Sequence, residues 1–165
     1  LCLMTAQIAN GGYKIYPKII VDEKNKSQPI DKFTPLYKDS RNIKIVQDAM
    51  FGSTNEVMGT SYRSRINDPK YQFAGKTGTA QVKKITELHR KLELKAKDVP
   101  YEERDHALYI AFGPYKKPRY ALSIIVEHGG TGSKVAAPMA KKLFKLIIDR
   151  HDEREKIIKQ NLTIS

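Results

Sequence analysis

The chain has one cysteine, Cys2, which excludes an internal disulfide. It has no run of the ~18 to 20 apolar residues that a membrane-spanning helix needs, and no basic segment leading into an apolar stretch of the signal-peptide kind. Any anchor is expected outside this sequence. The histidines His89, His106, His128 and His151 are scattered rather than paired at zinc-ligand spacing, so no metal site is expected and no cofactor is implied. Acidic side chains are scarce beside basic ones, 18 against 30, for a formal net charge of +12. A basic surface concentrates any polyanion near it. The aromatic residues that would alternate with cations in a base-stacking platform are missing, so nucleic acid is not the expected partner. The lysines read more simply as compositional bias spread over solvated faces.

At 165 residues the chain is long enough to bury one real core. Leu1, Met4 and Ile8 recur at helical spacing with no capping residue ahead of them, as though the sequence opens inside a helix, and Asn10-Gly11-Gly12 stops it. Tyr13 to Val21 reads as extended, with Pro17 unsuited to a central strand. A polar connection follows from Asp22 to Lys38. Ser40 is the expected cap of a helix with Ile43, Val46 and Met50 on one face, ending near Gly52.

Tyr71 to Val82 is rich in Gly and Thr and reads as a strand. Lys83 to Asp105 is charged, with a short helix expected at Glu87 to Lys95 inside a surface excursion. Ala107 to Phe112 and the β-branched Tyr120 to Glu127 read as an antiparallel hairpin joined through Pro114-Tyr115-Lys116-Lys117-Pro118. His128-Gly129-Gly130-Thr131-Gly132 then turns into a helix over 133–150, followed by a charged tail at 151–165. Val135, Met139, Leu143 and Ile147 run beside Ala136, Ala140, Phe144 and Ile148 as one broad stripe expected on the sheet, and Pro138 fits only in the first turn. The fold class is α+β, with helices packed on an antiparallel sheet whose three strands fall within 71–127.

Gly75-Lys76-Thr77-Gly78-Thr79-Ala80 is the site candidate. Gly78 lets a peptide backbone approach, as strand-like docking on a sheet edge requires. Lys76 offers a positive charge, Thr77 and Thr79 offer hydroxyl donors for an anion, and the Thr79 N–H is placed to face a developing oxyanion. Alone, Lys-[Ser/Thr]-Gly is a weak signal, equally at home on a solvated edge strand with a glycine bulge.

The surroundings add to it. Ala74 to Val82, then Asp105-His106-Ala107-Leu108, Ala111-Phe112-Gly113-Pro114-Tyr115, Val126-Glu127-His128-Gly129-Gly130 and Ala136-Ala137-Pro138 form an ordered series. Upstream, Thr5-Ala6-Gln7-Ile8-Ala9-Asn10-Gly11-Gly12 with Pro17, and Asn55-Glu56-Val57-Met58-Gly59-Thr60, keep the same order. The series resembles the C-terminal part of the transpeptidase domain of class B penicillin-binding proteins, and the Asp-His-Ala-Leu segment is most similar to the penicillin-binding protein 2 group.

That resemblance implies a serine β-lactamase-like fold with a five-stranded sheet, of which this chain holds the last three strands and packed helices, 1–70 supplying helical layer and connections. It implies that Lys76 organises proton-transfer groups. Thr77, Gly78 and Thr79 would receive the terminal carboxylate of a D-Ala-D-Ala stem peptide or a β-lactam, and the Thr79 N–H would form half of the oxyanion hole. It further implies an inner-membrane protein facing the periplasm, an upstream half of the same domain, and a cell-elongation glycosyltransferase as partner.

The nucleophile of that family comes from Ser-x-x-Lys. Ser27, Ser40, Ser53, Ser61, Ser64, Ser123 and Ser133 are followed three positions later by Ile30, Ile43, Glu56, Ser64, Asn67, Val126 and Ala136, so no serine qualifies and the chain alone is expected to be inactive. Ser53-Thr54-Asn55 mimics the family's Ser-x-Asn but stands too near the Lys-Thr-Gly strand, and is taken as coincidence. Gly129 to Lys134 lacks phosphate-loop spacing and reads as a tight turn, while His106 and His128 read as structural. A serine β-lactamase or β-lactam sensor shares the strand. A basic non-catalytic binding protein and a remnant of a broken gene are the readings from other classes.

Overall fold

The computed structural model describes residues 1–17, 33–83 and 98–164. Residues 18–21 of the expected extended piece, the connection as far as 32, and the helix expected at Glu87 to Lys95 lie outside them.

Helix α1, Cys2–Ala9, ends where the sequence places its stop. Gly11 and Gly12 take φ of 94° and 88°, a conformation in which a Cβ would be strained, and the Gly12 N–H returns to the Gln7 carbonyl at 2.8 Å. Helix α2, Ser40–Asn55, differs from expectation at both ends. Asp39 rather than Ser40 is the cap: its backbone is extended and its carboxylate accepts from the Arg41 N–H at 2.9 Å, adding negative charge at the positive end of the helix. The helix runs through Gly52 to Asn55, because glycine weakens a helix without stopping it when tertiary packing holds the next turn. Here Thr54 is fully buried, and Asn55 Nδ2 donates to the Phe51 and Phe73 carbonyls at 3.0 and 2.9 Å.

Strands β1 (Ala74–Ala80), β2 (His106–Gly113) and β3 (Tyr120–Val126) form one antiparallel sheet in the order β1-β2-β3. β1 is shorter than the Tyr71 to Val82 of the sequence reading. Its pairing with β2 is unbroken from Ala74↔Phe112 to Ala80↔His106, so no glycine bulge interrupts it. The β2–β3 hairpin forms as expected, Gly113 opposite Tyr120 and Ala107 opposite Val126.

Alternation along β2 divides the core. Leu108, Ile110 and Phe112 are directed to the side on which Met50 of α2 and Ile8 and Ala9 of α1 pack. Ala107, Tyr109 and Ala111 are directed to the other side, against helix α3, Ala136–Ile164. Alanines on both partners, 107 and 111 on the sheet with 136, 137 and 140 on the helix, let backbone and helix approach closely. Phe144 then stacks on Phe73 with ring centroids 4.9 Å apart. Phe73, Phe112 and Phe144 are all fully buried, a burial that contributes about 1.5–3 kcal/mol per side chain.

Two expectations for α3 are corrected. The helix begins at Ala136, after a turn, with Pro138 in its first turn, and continues to Ile164 instead of giving way to a tail at 151. Ion pairs hold its middle down: Lys70 reaches Asp149 and Asp152 at 2.9 and 3.0 Å, and Arg119 reaches Asp152 and Glu155 at 3.2 and 2.9 Å. The broad apolar stripe is only half used. Ala136, Ala140, Phe144 and Ile148 are buried, whereas Met139 and Leu143 stay 46% and 37% exposed, because one row of a helix at spacing four fills the groove of a sheet this narrow.

Candidate functional site

β1 occupies one edge of the sheet, and Lys76, Thr77, Gly78 and Thr79 follow one another along it. Alternation sends Lys76 to the α1/α2 side and Thr77 and Thr79 to the α3 side. Only a ligand lying along the outer edge of the strand meets all of them. Lys76 and Thr79 are exposed and Thr77 and Gly78 half-buried. Lys76 Nζ donates to the Thr77 carbonyl at 2.9 Å.

The strand is held from behind by three hydroxyl groups that the sequence reading did not pick out. Tyr109 of β2 is fully buried, and its hydroxyl lies 3.0 Å from both Thr54 Oγ1 and Ser61 Oγ. Thr54 and Ser61 are 3.3 Å apart, and Thr54 also donates to the Gly75 carbonyl at 3.4 Å. Burial pushes the Tyr109 phenol up, while its hydrogen bonds with Ser61 and Thr54 pull it the other way. Gly75 is the residue this packing requires, since a Cβ on it would lie 2.3 Å from the Tyr109 hydroxyl.

A second glycine brings the turn after β3 against the same strand. A Cβ on Gly132 would lie 2.3 Å from the Leu108 carbonyl oxygen and 2.7 Å from that of Gly78. The segment is a tight turn into α3, as the sequence indicates: the Gly130 N–H donates to the Asp105 carbonyl at 2.8 Å and the Ala137 N–H to the Gly132 carbonyl at 2.9 Å. His106 and His128 are tied to each other, the His128 N–H donating to His106 Nδ1 at 3.0 Å. That contact fits their structural reading. Asn55 of the Ser-Thr-Asn triplet spends its amide on the Phe51 and Phe73 carbonyls.

Among the described residues the Thr77 hydroxyl has one hydrogen-bond partner, Thr60 Oγ1 at 3.3 Å, and Thr60 in turn lies 3.2 Å from Ser53 Oγ. Separately, Arg63, Lys134, Lys141, Lys142 and Lys145 line a groove of about 580 Å3 between the 3-10 turn Tyr62–Ser64 and the start of α3. None of Lys76, Thr77, Gly78 and Thr79 lines it.

With the sheet, its helices and the edge strand in place, comparison with known proteins identifies the family. The penicillin binding protein transpeptidase domain model matches residues 1–145, and the chain belongs to that family. Among curated relatives, the peptidoglycan D,D-transpeptidase MrdA of Salmonella typhimurium is 31% identical over 154 residues, covering 86% of this chain and 23% of the relative. That of Escherichia coli K12 is 34% identical over 107 residues, 64% of this chain and 16% of the relative. Among solved structures, Helicobacter pylori PBP2, determined in complex with MreC, superposes with a TM-score of 0.65 at 33% identity, covering 88% of this chain and 24% of that one. Pseudomonas aeruginosa PBP2 bound to WCK 5153 gives 0.59 at 31% identity, over 86% and 28%. The chain thus spans less than a quarter of the length of these curated relatives. The mixed helix-and-sheet fold is that of their transpeptidase domains.

Proposed function

We propose that this chain supplies the Lys-Thr-Gly wall of a peptidoglycan D,D-transpeptidase site of the penicillin-binding protein 2 type. The observation that carries the proposal is the placement of Lys76 to Thr79 on an edge strand that has no strand partner on its outer side among the described residues and whose Gly75 carbonyl is held by Thr54. An extended stem peptide pairs with such an edge through main-chain hydrogen bonds. Thr77 and Thr79 donate to its terminal carboxylate, Gly78 leaves room for its backbone, and Lys76 organises the groups that move the proton. The Thr79 N–H stabilises charge on the carbonyl oxygen as the acyl bond is attacked, a service worth little without an attacking group. An upstream half of the same domain brings the Ser-x-x-Lys serine, which takes the acyl group and passes it to the amine of a second stem peptide. β-Lactams acylate the same serine. The working protein is anchored in the inner membrane, faces the periplasm and acts beside a cell-elongation glycosyltransferase.

The coding sequence ahead of Leu1 is read for an in-frame Ser-x-x-Lys, and the longer protein is expressed and incubated with fluorescent penicillin. Covalent labelling of the longer protein, its loss in Lys76→Ala and no labelling of the present chain are expected. Absence of the motif, or labelling of the present chain by itself, overturns the reading.

A further inference from the structure

We propose that Thr60 is a positioning residue for substrate-carboxylate recognition, acting through the Thr77 hydroxyl. The proposal rests on the transpeptidase reading and adds to it a group outside the Lys-Thr-Gly strand.

A threonine hydroxyl has one proton and two acceptor lone pairs, and its proton rotates to whichever acceptor is near. Free to rotate, the Thr77 proton spends much of its time turned away from an incoming anion. Thr60 Oγ1, 3.3 Å away, and Ser53 Oγ, 3.2 Å beyond it, form a chain of hydroxyls that ends on Thr77. With an anion at the open edge the whole chain orders in one direction. Ser53 donates to Thr60, Thr60 donates to Thr77, and Thr77 keeps its own proton for the carboxylate. Hydrogen bonds in such a series polarise one another, so the last donor is a better donor than a lone threonine.

The placement of Thr60 is determined by its neighbours on both sides. Ser61 turns inward: its N–H and its hydroxyl both donate to the Ser53 carbonyl at 3.0 Å, and its oxygen meets the Tyr109 hydroxyl. Gly59 lies against the end of α2 so closely that a Cβ would be 2.4 Å from the Ser53 carbonyl oxygen. The hydroxyl of Thr60 is therefore presented to Thr77 by a segment anchored on both sides of it, while the residue itself stays exposed and makes no other side-chain hydrogen bond among the described residues.

The test uses the longer protein in its unacylated form and compares acylation by a carboxylate-bearing β-lactam with acylation by its methyl ester, which lacks the anion. Removing the hydroxyl in Thr60→Val is expected to lower the acid-to-ester rate ratio about three- to tenfold, the range one net hydrogen bond spans. Thr60→Ser, which keeps the hydroxyl, restores the ratio to within about twofold, and Ser53→Ala lowers it less than Thr60→Val does. A merely structural role would slow both substrates alike. Thr60→Val with an unchanged ratio, or Thr60→Ser as damaging as Thr60→Val, overturns the proposal while leaving the transpeptidase reading intact. A wild-type protein that neither β-lactam form acylates removes that reading, and this proposal with it.

Discussion

The two edges of the sheet are built from opposite chemistry. β1 is made of alanine, glycine, threonine and one lysine; Thr54 of α2 donates to its Gly75 carbonyl, Thr60 meets its Thr77 hydroxyl, and its outer side has no strand partner among the described residues. β3 carries Leu122, Ile124, Ile125 and Val126, with Ile125 56% exposed, and has no strand partner on its outer side among the described residues. A small-residue edge with a fixed backbone suits a ligand that comes and goes. A β-branched edge suits a permanent strand, and left open it pairs with whatever edge it meets. The contrast is what a sheet completed from another segment at β3, and used for recognition at β1, would display.

The most disruptive change removes the support both edges share. Phe144→Ala takes away the ring stacked on Phe73 beneath the sheet and is expected to cost about 3–5 kcal/mol in urea unfolding, loosening β1 and β3 together. Gly75→Ala separates them. It forces a methyl into the Tyr109 hydroxyl for about 1–3 kcal/mol, and hydrogen exchange should quicken at Lys76 to Thr79 while the amides of β3 keep their protection. Ile125→Lys acts on the other edge alone: stability is expected to hold within about 0.5 kcal/mol, and sedimentation should show less self-association than the parent chain.

The smallest effect is on pH dependence and belongs to neither edge. The Tyr71 hydroxyl and Lys70 hold the Asp149 carboxyl below its ordinary range, and Lys70 and Arg119 do the same for Asp152. A carboxyl lowered in the folded state contributes stability above its unfolded value, about pH 4, and loses it as pH falls through the folded value. Melting curves should therefore change little from these groups between pH 6 and 8 and drop on acidification below about pH 4. Added salt should flatten that drop, since the pairs are exposed.

The three strands, their order in the chain and the α3 packing row were legible because they depend on local composition: β-branched runs, turn prolines and an apolar repeat at spacing four. Lys76 to Thr79 stand out as a candidate because their residue types are few and consecutive, and they lie together on edge strand β1. What the sequence did not disclose were contacts between residues far apart in the chain. Tyr109 reads as one aromatic in a strand, and only the register that places it opposite Thr77 explains why Gly75 precedes Lys76. Thr54 and Ser61 look like ordinary polar residues until that phenol arrives between them. The end of α3 was harder to place because its turns beyond Asp149 are mostly polar, with Ile157 and Ile158 exposed, and its middle is held by Lys70 and Arg119, which lie elsewhere in the sequence.

The division of labour between the edges is most directly examined by amide NMR of the longer protein titrated with an acyl-D-Ala-D-Ala peptide. Shift changes centred on Lys76 to Ala80 and on Thr60, with Tyr120 to Val126 unmoved, are the predicted outcome. Changes confined to β3 or to the lysine-lined groove beside α3, with β1 silent, would contradict it.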